Sequence, residues 1–117
     1  MKLEEVIAEI EEVSQRFSFV LQVIRLDETK YSVKYLLMLA EDFFVQVYRN
    51  ARSGTIGLAL IYRGQRLYGR DREGGQWHRH PFENPMEHDF SAEGSREVSL
   101  EEFLEEVREI LERGGLI

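Results

Sequence analysis

Six runs of β-branched and aromatic residues follow one another through the middle of this chain of 117 residues, with only short turns between them. A parallel connection between strands needs a crossover of about a dozen residues or more, so turns this short exclude a parallel sheet. We therefore predict an antiparallel meander of five or six strands. The predicted strands are Phe17–Leu26, Tyr31–Ala40, Phe43–Arg49, Thr55–Tyr62, Arg66–Arg72 and Gln76–Phe82.

The chain is predicted to begin and end in an amphipathic helix. Apolar residues recur at helical spacing from Leu3 to Val13 and again from Leu100 to Leu111. Ser99 with a glutamate three residues later is a capping-box signature for the start of the second helix. Two terminal helices packed on one face of an antiparallel meander make an α+β fold, and the length suits a single domain over residues 1–117.

The composition limits the kinds of site and partner that we expect. The chain has no cysteine, which excludes thiol catalysis, zinc–cysteine sites and disulfides. No apolar run approaches the roughly 20 residues that span a bilayer, and the N-terminus is too acidic for a signal peptide. We therefore expect a cytoplasmic protein with no membrane partner. The charged fraction of 32%, together with few amides, is typical of thermophile proteins.

Charge is distributed unevenly along the chain. The net charge is −7, yet residues 43–80 hold seven arginines against two acidic residues. Strand alternation groups most of these arginines with aromatic residues on one face of the last hairpin, a pattern that suits phosphates and stacked bases of RNA. The alternative is internal ion pairing with the acidic helices and the loop at 83–98. The predicted substrate-binding residues are Arg66, Tyr68, Arg70, Arg72, Trp77 and Arg79, with Phe82 as a further stacking ring.

All three histidines lie between residues 74 and 90. If the hairpin loop at Gly74-Gly75 has two or four residues, Asp71 lies opposite His78, and His80 shares their face. We predict acid–base catalysis by His78, His80 and His88, with Asp71 orienting one imidazole. No cofactor is required for this chemistry. The alternatives are a divalent metal bound by the three histidines, or no chemical role at all.

The second predicted strand is apolar on both faces. Val33, Tyr35 and Leu37 alternate there with Leu36 and Met38. Such a strand either curls around a second small core or buries its outer face in a homodimer, and both alternatives stay open.

The order of these segments resembles the TumE-like toxin family of prokaryotic toxin–antitoxin systems. The resemblance is carried by an N-terminal LEEVIAEIEEV helix, the segment RLYGRD, the histidine-rich HRHPF…MEH and a final SLEEFLEEVREIL helix. It implies a small cytoplasmic protein that has a protein antitoxin as its partner and RNA or translation as its target. The leading hypothesis is thus a toxin-like ribonuclease. The alternatives are a noncatalytic protein-binding or dimerisation module and a small metal-binding protein.

Overall fold

The structure, a computed structural model, describes residues 1–116 and has the predicted α+β fold. Its sheet has six strands in the order β1-β2-β3-β4-β5-β6, and every neighbouring pair is antiparallel. The meander prediction is confirmed. The elements are α1 (Leu3–Ser14), β1 (Gln22–Glu28), β2 (Ser32–Ala40), β3 (Phe43–Asn50), β4 (Ile56–Tyr62), β5 (Gln65–Glu73), β6 (Gln76–His80) and α2 (Leu100–Arg113).

Both helices bury their apolar stripes on the same face of the sheet. Ile10 of α1 and Phe103 of α2 belong to one buried cluster with alternate residues of the strands, such as Leu37 and Val45. The helix termini follow the sequence signals. Ser99 accepts a hydrogen bond from the backbone N–H of Glu102 in the predicted capping box, and Gly114 is the C-cap that follows the last helical residue, Arg113.

Most strand boundaries lie within two residues of the prediction, and two of the differences have a clear physical cause. β1 begins at Gln22 rather than Phe17, because residues 15–21 form turns in which Val20 N–H bonds to the Phe17 carbonyl. Phe17 is buried in the core from this irregular segment, so its apolar character came from burial and not from a strand. β6 ends at His80 rather than Phe82, since Pro81 has no N–H to donate to the ladder.

The face of the sheet opposite the helices is apolar over much of its area. Alternate residues of β1 to β4 point there and are half-buried: Ile24, Leu36, Met38, Phe44, Tyr48 and Ile61. A homodimer, one of the two alternatives for such a surface, stays a prediction. Within residues 1–116, neither helix has the length and apolarity needed to cross a membrane.

Candidate functional site

The β5–β6 hairpin has the two-residue turn that places the histidines. Gly74 and Gly75 both have positive φ, at 57° and 81°, which glycine adopts without a steric penalty. The resulting register pairs Asp71 with His78 and Gly69 with His80, as the sequence predicted. Because side chains alternate along a strand, the carboxylate and both imidazoles lie on the sheet face away from the helices.

Arg66 lies on this same face, and its predicted place beside Tyr68 is wrong. Leu60 pairs with Tyr68 but the next residue, Ile61, pairs with Arg66, so Leu67 is an extra residue in β5. Such a bulge shifts the alternation by one position. The guanidinium of Arg66 consequently lies 3.8 Å from Asp71 Oδ2.

Three electron-rich atoms converge at the centre of the site. His78 Nε2 and His80 Nε2 are 3.2 Å apart, and Asp71 Oδ2 lies 3.5 Å from the first and 3.4 Å from the second. All three residues are buried. We call His78 Nε2, His80 Nε2 and Asp71 Oδ2 the donor triangle.

The orientation of His80 is fixed by a backbone carbonyl. Its Nδ1 lies 2.9 Å from the carbonyl oxygen of Pro85, which can only accept a hydrogen bond, so Nδ1 carries the proton. Burial holds the pKa of His80 below its usual range, more than the Pro85 hydrogen bond and nearby Asp71 raise it. The neutral ring therefore directs the lone pair of Nε2 into the donor triangle.

The segment between β6 and α2 brings His88 to the hairpin. Asp89 exchanges two backbone hydrogen bonds with Arg79 and also accepts a side-chain bond of 2.9 Å from Arg79 Nε. Hydrogen bonds from Ser91, and then from Arg79, lower the pKa of Asp89 to about 2. With Asp89 held in this way, a ring nitrogen of His88 lies within 4.8 Å of those of His78 and His80.

The donor triangle forms one wall of an open cavity of about 370 Å³. Its other described lining residues are Arg66, Glu73, Gln76, His88 and Phe90. Phe90 is 52% exposed, and its ring centroid is 5.3 Å from that of His78. The cavity therefore combines possible ligand atoms, a guanidinium and an exposed aromatic ring.

Arg70, a predicted substrate-binding residue, lies on the helix side of the hairpin. Its side chain is fully buried and forms two hydrogen bonds with Glu106, of 3.1 and 2.7 Å. It also donates to the carbonyl and the carboxylate of Glu93, at 2.7 and 2.9 Å. Every one of these partners is internal, so Arg70 joins the 81–99 segment and α2 to the sheet.

The other predicted substrate-binding residues are also outside the histidine cavity. Tyr68 is buried and stacks on Phe103, and Trp77 is buried in the same core. Arg72 donates to the Gly54 carbonyl at 2.7 Å. Arg79 and Phe82 line a separate cavity of about 280 Å³ that four glutamates also line. A substrate-binding role for these residues stays a prediction.

Sequence reasoning missed two contributors to the site. Phe90 carried no signal, because nothing in the sequence indicates which part of the 83–98 segment returns to the sheet. Glu73 follows Asp71 by two residues and so has the same strand parity, which could have indicated it; its carboxylate lies within 4.8 Å of possible ligand atoms of Asp71 and His78.

The arrangement favours two kinds of chemistry. The donor triangle and His88 supply imidazole nitrogens and a carboxylate oxygen, the ligands that zinc and related ions prefer. The same groups also suit proton transfer, because one carboxylate is close to two imidazoles beside an open cavity.

Comparison of the chain with protein-family models, with curated proteins and with solved structures gave no match. The resemblance to TumE-like toxins therefore stays a prediction.

Proposed function

We propose that this protein binds a divalent cation of the zinc type at the donor triangle, with His88 beside the ion on the cavity side. The supporting observation is the size of the triangle, whose edges are 3.2, 3.4 and 3.5 Å. A tetrahedral ion with bonds of about 2.0–2.1 Å separates its ligand atoms by roughly 3.3–3.4 Å. The three atoms thus have the spacing of a face of such a tetrahedron.

Electrostatics supports the same proposal. With its proton on Nδ1, neutral His80 presents a lone pair to Asp71 Oδ2 at 3.4 Å. Two acceptors at this distance repel one another unless a proton or a cation lies between them. His78 can donate one proton toward this pair, but a divalent ion would satisfy all three atoms together.

The ligand set differs from the one that the sequence suggested. The three histidines were the predicted metal ligands, whereas the distances favour Asp71 with His78 and His80. The His88 nitrogen is within 4.8 Å of the other two imidazoles, and its side chain is exposed. His88 therefore completes the coordination only if its ring moves toward the triangle.

The second candidate is the predicted metal-free, acid–base cleavage of RNA by a toxin-like protein. It is favoured by Asp71, whose Oδ2 lies within 3.5 Å of both His78 and His80 and would stabilise a protonated imidazole. In this case a chelator would leave activity unchanged. The antitoxin partner implied by the family resemblance belongs to this candidate and stays a prediction.

Metal titration tests the proposal directly. Chelator-treated protein is titrated with zinc against a chromophoric competitor, and the bound metal is counted by elemental analysis. We expect one ion per chain in the wild type, loss of binding in His80→Ala, and weaker binding in Asp71→Asn. Glu83→Gln is the control, because Glu83 is exposed and belongs to the other cavity. Absence of binding at micromolar zinc, or binding that survives His80→Ala unchanged, would overturn the proposal.

A further inference from the structure

We propose that the metal-loaded cavity hydrolyses phosphodiesters, with Arg66 holding the phosphate; this proposal rests on the metal site proposed above. Arg66 is the lone arginine or lysine among the cavity-lining residues that the structure describes. Its side chain is 39% exposed, and its contact with Asp71 Oδ2 is long, at 3.8 Å. A planar guanidinium with free N–H groups binds two oxygens of one phosphate.

The charge of the cavity depends on the ion. Among the described lining residues, Arg66 contributes +1 and Asp71 and Glu73 contribute −1 each, so the arginine and the carboxylates sum to −1. A divalent ion changes this sum to +1. Without the ion, the cavity would therefore repel an anion. With the ion bound, it would attract one. This difference favours an anionic substrate that binds only to the metal-bound protein.

Metal binding would also weaken the ion pair that Arg66 forms with Asp71. Asp71 is the acidic partner of Arg66 in the cavity, and coordination would draw its carboxylate charge to the ion. The guanidinium then faces the cavity with its donors available. A phosphate held between Arg66 and the ion has one oxygen on each, which is a common way of fixing a phosphate for displacement.

The cavity is open and carries an exposed ring at its rim, so it accepts one segment of a longer chain. Phe90 is 52% exposed, and a base on either side of the bound phosphate can stack on it. This ring favours nucleic acid over small diesters, whereas the phosphate contacts are common to both.

The reaction is a simple hydrolysis. A water at the cavity side of the site loses one proton to solvent, and its oxygen forms a bond to phosphorus. The ester bond between phosphorus and the opposite oxygen breaks, and that oxygen takes a proton from solvent. One water is consumed, and the products are a phosphate monoester and a hydroxyl. The cation's contribution is to polarise the water and to offset charge on the phosphate.

The test uses zinc- or manganese-loaded protein with three probes: a single-stranded RNA oligonucleotide, a DNA oligonucleotide of the same sequence, and bis(p-nitrophenyl) phosphate. We expect cleavage that a chelator stops and that His80→Ala lacks. Arg66→Gln should raise KM about tenfold or more while the ion stays bound. Arg63→Gln is the matched control, because Arg63 is exposed at the neighbouring turn and outside the cavity, and its KM should change less than about twofold.

Each outcome has a separate meaning. Cleavage of RNA and DNA alike defines a general phosphodiesterase, and cleavage of RNA alone a ribonuclease; both support the proposal. If loaded wild type leaves all three probes intact, the hydrolysis proposal is wrong even where zinc titration has shown the site. If cleavage persists in chelator, the metal-free candidate replaces it. Equal KM values for Arg66→Gln and Arg63→Gln would remove Arg66 from phosphate binding.

Discussion

The two faces of the β5–β6 hairpin place charged residues in contrasting surroundings. Toward the helices, Arg70 is fully buried and donates four hydrogen bonds to Glu93 and Glu106. On the opposite face, Asp71, His78 and His80 converge on one another, and Pro85 supplies a backbone partner for one ring. On the first face, each side-chain nitrogen of the buried charged group is paired within the protein, so we call this face saturated; these pairs stabilise the fold. The second keeps ligand atoms directed at a common point, as a binding site requires.

The largest effect that we expect comes from Arg70→Met, which keeps apolar bulk but leaves Glu106 with the longer ion pair to Arg96, at 3.4 Å, in place of two hydrogen bonds from Arg70. Glu106 is only 22% exposed, so its charge is poorly solvated. Removing one partner of a buried ion pair costs about 3–5 kcal/mol, and we expect about 3 kcal/mol here because water reaches part of the carboxylate. Urea unfolding of the chelator-treated protein measures the loss.

Arg66→Met is the matched variant on the other face. Arg66 is 39% exposed, with one long ion-pair contact, so its replacement should change the free energy of unfolding by less than about 0.5 kcal/mol. If the two variants unfold at the same urea concentration, the contrast between a saturated and an open face is incorrect.

The next effect concerns Tyr68, on the saturated face. Burial, and then the nearby carboxylate of Glu106, raises the pKa of Tyr68 to about 12 from its ordinary 10. Below pH 10 the phenol is protonated in both states. Between pH 10 and 12 the unfolded chain loses this proton first, so stability falls as pH rises, by on the order of 2 kcal/mol.

Tyr68→Phe keeps the ring that stacks on Phe103 but has no phenol to ionise. Urea unfolding at a series of pH values should therefore show a flatter alkaline decline for this variant than for the wild type. An unchanged slope would mean that other groups carry the decline, such as Tyr35, whose pKa is also raised to about 12 by burial.

The features of the hairpin that the sequence predicted depend only on residues close to one another in the chain. The hairpin register follows from a two-residue glycine turn, and the period of two then places Asp71, His78 and His80 together. Neither step needs information from elsewhere in the chain. The same holds for the capping-box signal at Ser99, which depends only on Glu102 three residues later.

The parts that sequence did not predict depend on distant residues. Whether Arg70 meets phosphate or carboxylate is decided by Glu93 and Glu106, which lie 23 and 36 positions later. The bulge at Leu67 arises from the pairing with β4 and moves Arg66 to the histidine face. An arginine-rich strand therefore looks uniform in sequence, although its members have different surroundings in the fold.

A smaller effect is expected at Gly94, which packs against Asp89 in the segment between β6 and α2. A Cβ at this position would lie 2.6 Å from Asp89 Cγ and would also meet the Asp89 carbonyl. Gly94→Ala should cost about 1–2 kcal/mol, in the lower part of the overpacking range, because the segment can shift outward. That shift would carry His88 away from the other histidines.

Gly57→Ala is the control for Gly94→Ala, because a Cβ there meets nothing closer than 3.6 Å. It should leave stability within about 0.5 kcal/mol of wild type. Zinc affinity measured in both variants then tests whether His88 contributes to metal binding. A lower affinity in Gly94→Ala alone would show that His88 assists binding, whereas equal affinities would confine the ligands to the donor triangle.

The smallest effect that we expect is acid destabilisation of the chelator-treated protein, because a single histidine carries it. The pKa of His80 is lowered by burial, with Arg66 acting in the same direction and Asp71 against it. Above the unfolded pKa of about 6.5, the ring is neutral in both states and its contribution to stability is complete. As pH falls below that value the unfolded chain binds a proton that the folded chain binds less readily, so stability declines.

Thermal unfolding between pH 7.5 and 5 should show a shallower decline in His80→Gln than in the wild type. A steeper decline in the variant would mean that His80 gains its proton more readily when folded. In that event Asp71 would pair with an imidazolium, and the open face would be as saturated as the face of Arg70.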